Sequence, residues 1–296
     1  MPYFHYYHQE LYVEQVPLAK VATLWDTPAY VYSLSALRAN YQAFTQTLRS
    51  QPHLICYAVK ASSNIALLNF LAQQGCGFDI VSQGELHRVL AAGGDPKKIV
   101  FSGVGKSEQD IRLALSKGIL CFNVESKPEL QRIATIAKEL NLVAAISIRV
   151  NPNVDAQTHP YIATGLTSHK FGVEAKTALE LYQYAAHVPN LMIKGIDCHI
   201  GSQITQLAPF LEALSQVLQL MDRLNQNGIT ISHLNLGGGL GVRYQNETPP
   251  SIEAYCKAIM QHLRERKITL ILEPGRSLVA NTGLLLTRLE YIKHGS

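Results

Sequence analysis

None of the five cysteines stands at CxxC spacing from another, so the chain offers no paired-cysteine motif. Cys56, Cys76, Cys121, Cys198 and Cys256 lie mostly inside apolar runs, where a thiol behaves as a small hydrophobe, and a reducing compartment suits them. The opening Met1-Pro2-Tyr3-Phe4-His5-Tyr6-Tyr7-His8 has no apolar h-region, and no run approaches the length of a membrane span. These absences lead us to expect a cytoplasmic protein without a membrane partner. The basic residues are scattered rather than striped and the net charge is only +4, which argues against nucleic acid and leaves small anionic ligands open. What remains is 296 residues, 47% hydrophobic and 16% charged, enough for one large α/β domain or two smaller ones.

From residue 54 onward, short β-rich apolar runs alternate with amphipathic helical patterns, as in βα units on a parallel sheet. Strands are expected at 54–59, 77–81, 98–102, 119–124, 143–150, 193–199, 232–236 and 268–273. Helices are expected at 34–49, 64–74, 83–92, 107–117, 126–140, 174–186, 207–227 and 251–266. Ser107 stands before an acidic first turn, Ser126 and Glu129 have capping-box spacing, and Gly118 and Gly228 fall at expected helix ends. Eight strands with intervening helices close most naturally into a (β/α)8 TIM barrel, here assigned to 34–276. The flanks, 1–33 and 277–296, look like remnants of a second, β-type domain. The first carries strand patterns at 10–13 and 29–32, and the second a strand over 283–292 with no sequence partner. The stretch 151–172 lacks apolar periodicity and follows the fifth strand, where either an active-site lid or an ordinary surface loop fits.

Polar and glycine-rich residues collect at the C-terminal ends of the expected strands: Lys60, Asp79, Arg149, His199, Gly237-Gly238-Gly239 and Glu273. A barrel brings such ends to one mouth whatever their separation in sequence. Lys60 closes the run Leu54-Ile55-Cys56-Tyr57-Ala58-Val59, and a long amine there is costly unless used. Schiff-base chemistry with a carbonyl cofactor is one use, and snorkelling to solvent is the other reading. The triple glycine lets a backbone approach a phosphate, although the spacing is not that of a P-loop and the lysine of that motif is missing; a ligand-free turn is the alternative. Glu273-Pro274-Gly275-Arg276 offers a carboxylate, a rigid turn and a guanidinium suited to an anion, or else a turn-stabilising salt bridge. His199 has no second ligand at zinc-like spacing, so no metal is expected and a structural histidine remains open. Asp79, Glu85 and Arg149 are equally readable as an ion-pair network supporting the mouth.

These strings together resemble the fold-type III pyridoxal-phosphate decarboxylases. The matching segments are Tyr57-Ala58-Val59-Lys60-Ala61, Gly77-Phe78-Asp79-Ile80-Val81-Ser82 with Gly84-Glu85-Leu86, His199-Ile200-Gly201-Ser202-Gln203, Asn235-Leu236-Gly237-Gly238-Gly239 and Glu273-Pro274-Gly275-Arg276. The His199-to-Gln203 string and the extension from Ser277 to Gly283 are most similar to the diaminopimelate-decarboxylating branch. The resemblance implies pyridoxal 5′-phosphate as cofactor, with Lys60 condensing with its aldehyde, His199 packing on the pyridine face and Glu273 pairing with the ring nitrogen. It implies Ser202, Gly237, Gly238, Gly239, Gly275 and Arg276 at the phosphate, Arg276 also at a substrate carboxylate, and Asp79, Glu85 and Arg149 tuning the site from behind. The implied reaction takes meso-diaminopimelate to L-lysine and carbon dioxide, the last step of lysine biosynthesis, in a head-to-tail homodimer.

The resemblance also implies a β-domain beyond Ser296, with a cysteine proton donor and further substrate ligands. On that basis the chain is expected to be a fragment that holds the cofactor without turning over substrate efficiently. Rival readings are an ornithine, arginine or carboxynorspermidine decarboxylase, an alanine racemase, or a non-catalytic cofactor-binding relative. Racemases usually follow their lysine with an Ala-Tyr-Gly segment, where this chain has Ser62-Ser63-Asn64.

Overall fold

The computed structural model describes residues 3–155, 171–263 and 266–295. The chain opens with β1 (Phe4–Tyr7), β2 (Glu10–Val13) and β3 (Val16–Pro17) in an antiparallel sheet, then α1 (Leu18–Trp25), β4 (Ala29–Tyr32) and α2 (Leu34–Thr47). Eight parallel strands follow: β5 (His53–Ala58), β6 (Gly77–Ile80), β7 (Ile99–Phe101), β8 (Cys121–Val124), β9 (Ala144–Arg149), β10 (Leu191–Asp197), β11 (His233–Asn235) and β12 (Thr269–Leu272). They pair in sequence order and close when β12 pairs with β5, Ile271 opposite Leu54. The expected barrel is therefore present. Its outer layer is α3 (Ile65–Gln73), α4 (Gln83–Ala91), α5 (Glu108–Lys117), α6 (Lys127–Glu139), α7 (Ala175–Ala186), α8 (Ala208–Gln226) and α9 (Ile252–Leu263), followed by the one-turn α10 (Arg276–Val279) and β13 (Gly283–Leu286). Most of the loop 151–172 lies outside the described residues.

Local chemistry sets the helix ends. Ser107 and Asp110 form a reciprocal capping box at α5, and Gly118 ends that helix in the left-handed region at φ 64°. After β6 and β8 a variant recurs. Ser82 and Ser126 accept the N–H of Glu85 and Glu129, while those glutamates reach back past the serine to the N–H of Val81 and Glu125. Two strand-to-helix turns at the C-terminal face are thus locked by the same pair of side chains.

A register shift in β10 between Ile193 and Gly195 leaves ladder groups without their regular partners, and the buried Tyr182 hydroxyl bridges them. It donates to the Gly195 carbonyl at 2.7 Å and accepts from the Ile148 N–H at 3.3 Å.

Three sequence expectations change. Residues 18–25 form α1, because Pro17 starts a helix whose Leu18 and Val21, one turn apart, are its buried positions. Residues 4–7 form a strand that no sequence pattern had marked. The strand expected over 283–292 stops at Leu286 and does have a partner, β4, with Leu284 opposite Val31. A small cluster of Val13, Leu18 and Val21, backed by Phe4, Leu11, Val31, Leu284 and Leu286, packs the two terminal sheets together.

Candidate active site at the barrel mouth

Side chains alternate along each barrel strand, one set facing the helices and the other the barrel axis. Near the N-terminal ends the axial set is apolar: Cys56, Val100, Cys121 and Ile271 form their own buried cluster. Nearer the C-terminal ends it turns polar, with Asp79, Ser102, Asn123, Ser147, Asp197, Asn235 and Glu273 all buried. Groups buried there require partners. Glu273 Oε1 accepts from Asn235 Nδ2 at 2.5 Å and Asn123 Nδ2 at 3.2 Å, and Asn123 also donates to Ser102 Oγ at 3.0 Å. Burial, with the Asp79 and Asp197 carboxylates, pushes the Glu273 pKa well above the usual range against the opposing pull of Lys60 and Asn235. Burial also raises Asp197, against the neighbouring Arg149.

Lys60 sits in a single 3₁₀ turn, Val59–Ala61, just past β5. Its Nζ donates to Asp79 Oδ2 at 2.8 Å, and its side chain is 53% exposed while that of Asp79 is wholly buried. Desolvation lowers the Lys60 pKa, but Asp79 and Glu273 outweigh it and hold the ammonium above its ordinary value. Asp79 thus anchors the amine from the adjacent strand without burying it.

His199 lies two residues beyond β10. Its Nδ1 accepts from the Gly238 N–H at 3.2 Å, and burial, Arg149 and Lys60 push its pKa well below the usual value. The ring is therefore neutral, and an accepting Nδ1 places its proton on Nε2. Arg149 pairs with Glu125 at 2.7 Å, lies 3.9 Å from Asp197 Oδ2, and donates to the His199 carbonyl at 3.4 Å. It braces the ends of three consecutive strands from beneath.

The pocket at this mouth encloses about 420 Å³ and is lined by Lys60, His199, Ser202, Gly238, Gly239, Tyr244, Glu273, Gly275 and Arg276 among others. A Cβ on Gly238 would stand 2.2 Å from the Glu273 carbonyl oxygen, and one on Gly239 2.5 Å from that of Gly201. The turn is therefore as tight as the triple glycine suggested. The Gly237 and Gly238 N–H groups are held by Asn235 Oδ1 and His199 Nδ1. Arg276 donates to Ser202 Oγ at 3.2 Å and to the Tyr244 hydroxyl at 2.6 Å, and its buried Nε has no partner among the described residues. An unpaired guanidinium N–H beside a hydroxyl at a glycine-walled corner is a donor set for an anion.

The structure thus brings Lys60, Asp79, His199, Ser202, Glu273 and Arg276 to one end of the barrel. Glu85, half-buried, is engaged by the Val81 N–H and does not line the pocket. Asn123, Asn235, Asp197, Glu125 and Tyr244 had been given no role, Asn235 being quoted only as the start of the glycine segment. The strand parity carried a signal for the first four, since each is polar where the same face of its strand or its extension points inward.

The model of the pyridoxal-dependent decarboxylase pyridoxal-binding domain matches residues 34–280. Diaminopimelate decarboxylase of Pseudomonas aeruginosa is 56% identical over 99% of this chain and 71% of its own length; that of Vibrio cholerae is 55% identical with the same coverage. The chain belongs to the diaminopimelate decarboxylase family. It spans about 71% of those two relatives' length. Among solved members of the family, the Helicobacter pylori diaminopimelate decarboxylase complexed with L-lysine superposes with a TM-score of 0.88 at 43% identity, covering 90% of this chain and 68% of that one. The M. jannaschii enzyme, in co-complex with L-lysine, reaches 0.93 at 35% identity, covering 99% and 71%. The donor set fits the family's cofactor class. The amine on β5's end, the buried acid on β12's end and the anion corner at Arg276 surround one cavity large enough for a substituted ring. Among the described residues no His, Cys, Asp and Glu cluster could hold a metal ion, and no helix is long and apolar enough to cross a membrane.

Proposed function

We propose that this protein binds pyridoxal 5′-phosphate at the barrel mouth and decarboxylates meso-diaminopimelate to L-lysine and carbon dioxide, with residues 34–276 as the cofactor-binding part. The observation that carries the reading is Lys60, its side chain half-exposed in a pocket that also holds an acid with a raised pKa and a guanidinium N–H unpaired among the described residues. When bound, the cofactor supplies an aldehyde for an amine and a conjugated ring that accepts the electrons of a breaking bond.

Each residue then has a physical task. Asp79 holds the Lys60 ammonium until a proton leaves it, and a neutral Nζ is the nucleophile. Glu273 is the acid that would exchange a proton with a ring nitrogen, because burial favours its neutral form. His199, uncharged, offers a flat apolar face with its Nε2 proton at the edge. Ser202, Gly239, Gly275 and Arg276 close on the phosphate, with Arg276 also placed for a substrate carboxylate. Arg149 and Asp79 set the charge balance behind these groups. The expected homodimer is read by sedimentation of the loaded protein.

Titration with pyridoxal phosphate, borohydride reduction and peptide mapping test the reading. A fixed adduct on Lys60 is expected, and a protein that binds the cofactor at another lysine or not at all refutes it. Carbon dioxide release from meso-diaminopimelate in preference to ornithine and arginine assigns the substrate. A chain loaded at Lys60 that releases none from any of the three agrees with the expected fragment, which holds the cofactor without efficient turnover, or with the non-catalytic reading.

A further inference from the structure

Among the described residues Glu273 is gripped by one side-chain oxygen, Oε1. Asn123 and Asn235 both donate to Oε1, and the remaining contact of Asn235 fixes which of its amide atoms faces the acid. The Gly237 N–H requires an acceptor on Asn235, so its oxygen must face the glycine turn and its NH₂ must face Glu273. Asn123 turns its NH₂ towards Ser102 Oγ and Glu273, with its Oδ1 3.8 Å from Cys121 Sγ. An oxygen that accepts two N–H groups has no lone pair in reach for a proton, so a neutral Glu273 carries its proton on Oε2. The Glu273 N–H in turn donates to the Gly237 carbonyl at 2.7 Å. Asn235 is therefore tied both to the turn beside the anion corner and to the acid at the other side of the same pocket.

We infer that Asn123 and Asn235 are positioning residues that hold Glu273 by Oε1 and leave Oε2 as the single atom through which this acid exchanges a proton with a cofactor ring nitrogen. This rests on the pyridoxal-phosphate reading above. In the step so defined the Oε2–H bond breaks, the N–H bond forms, and the resulting carboxylate keeps both amide donors on Oε1. Hydrogen bonds to a charged group are stronger than those to a neutral one, so the amides favour the carboxylate that faces a protonated nitrogen.

Two probes that differ only at the ring nitrogen separate positioning from simple structural support: pyridoxal 5′-phosphate and its 1-deaza analogue. The wild-type protein is expected to prefer the nitrogen-bearing probe. Asn235→Ala and Asn123→Ala are expected to shrink that preference by roughly tenfold each, from the worth of one hydrogen bond to a charged acceptor. In a Glu273→Ala background neither should change it further. Among the described residues Asn123 has no hydrogen bond to the glycine turn, so its variant carries the test if Asn235→Ala fails to fold. Equal losses of both probes, with the preference unchanged, overturn the positioning role and leave the cofactor reading standing. A wild-type protein that binds neither probe overturns both.

Discussion

His233 is enclosed in the barrel below the site, and its effect on acid stability can be calculated. It is 5% exposed, its Nε2 lies 3.8 Å from Cys121 Sγ, and burial, with Lys194, pushes its pKa down to about 4 from an ordinary 6.5. Gly195 makes the room: a Cβ there would fall 1.9 Å from the ring. Because the folded pKa is below the unfolded one, the unfolded chain binds the proton first. Stability from this group is complete above pH 6.5 and is lost as pH falls towards 4. Integrating the proton linkage gives a loss of about 1 kcal/mol at pH 6, about 2 at pH 5 and about 3 at pH 4. Replacing His233 by Leu removes that linkage whatever it does to packing, so urea unfolding of wild type and His233→Leu at several pH values isolates it. The variant's stability relative to wild type should rise by about 3 kcal/mol between pH 7 and pH 4. Parallel pH profiles for the two proteins would refute the argument that His233 is buried neutral.

Two further predictions concern the site. Gly238→Ala forces a methyl against the Glu273 carbonyl, where only backbone movement gives relief. It should cost about 1–3 kcal/mol in urea unfolding and weaken cofactor binding, and wild-type stability would contradict the close approach. Arg276→Lys removes a fork that reaches Ser202 and Tyr244 together, so affinity for pyridoxal phosphate should fall roughly tenfold. Affinity for pyridoxal, which lacks the phosphate, should hardly change; equal losses for both ligands would remove Arg276 from the anion corner.

Lys60, the triple glycine and Glu273 were legible because each departs from its surroundings at a strand end, and strand ends are visible as the close of an apolar run. The Ser107 cap and Gly118 stop were legible for a similar reason, since their partners are only a few residues away. The hold on Glu273 was not. Asn123 and Glu273 are 150 residues apart, and nothing in either local pattern names the other. Pairing of β13 with β4 was hidden in the same way, because it joins opposite ends of the chain. Asp197, inside the strand expected at 193–199, drew no notice in the sequence, and only the low-dielectric barrel interior makes its burial and its distance from Arg149 matter.

The sequence by itself determined the eight-strand alternation, the boundaries of the barrel helices to within a few residues and the residue types at the mouth, because periodicity and capping are local properties of a chain. Only the tertiary structure decided which oxygen of Glu273 is held, which tautomer His199 adopts and which hydroxyls Arg276 meets. Those depend on distances and burial between strands that the chain reaches far apart, and such distances exist only once the barrel closes.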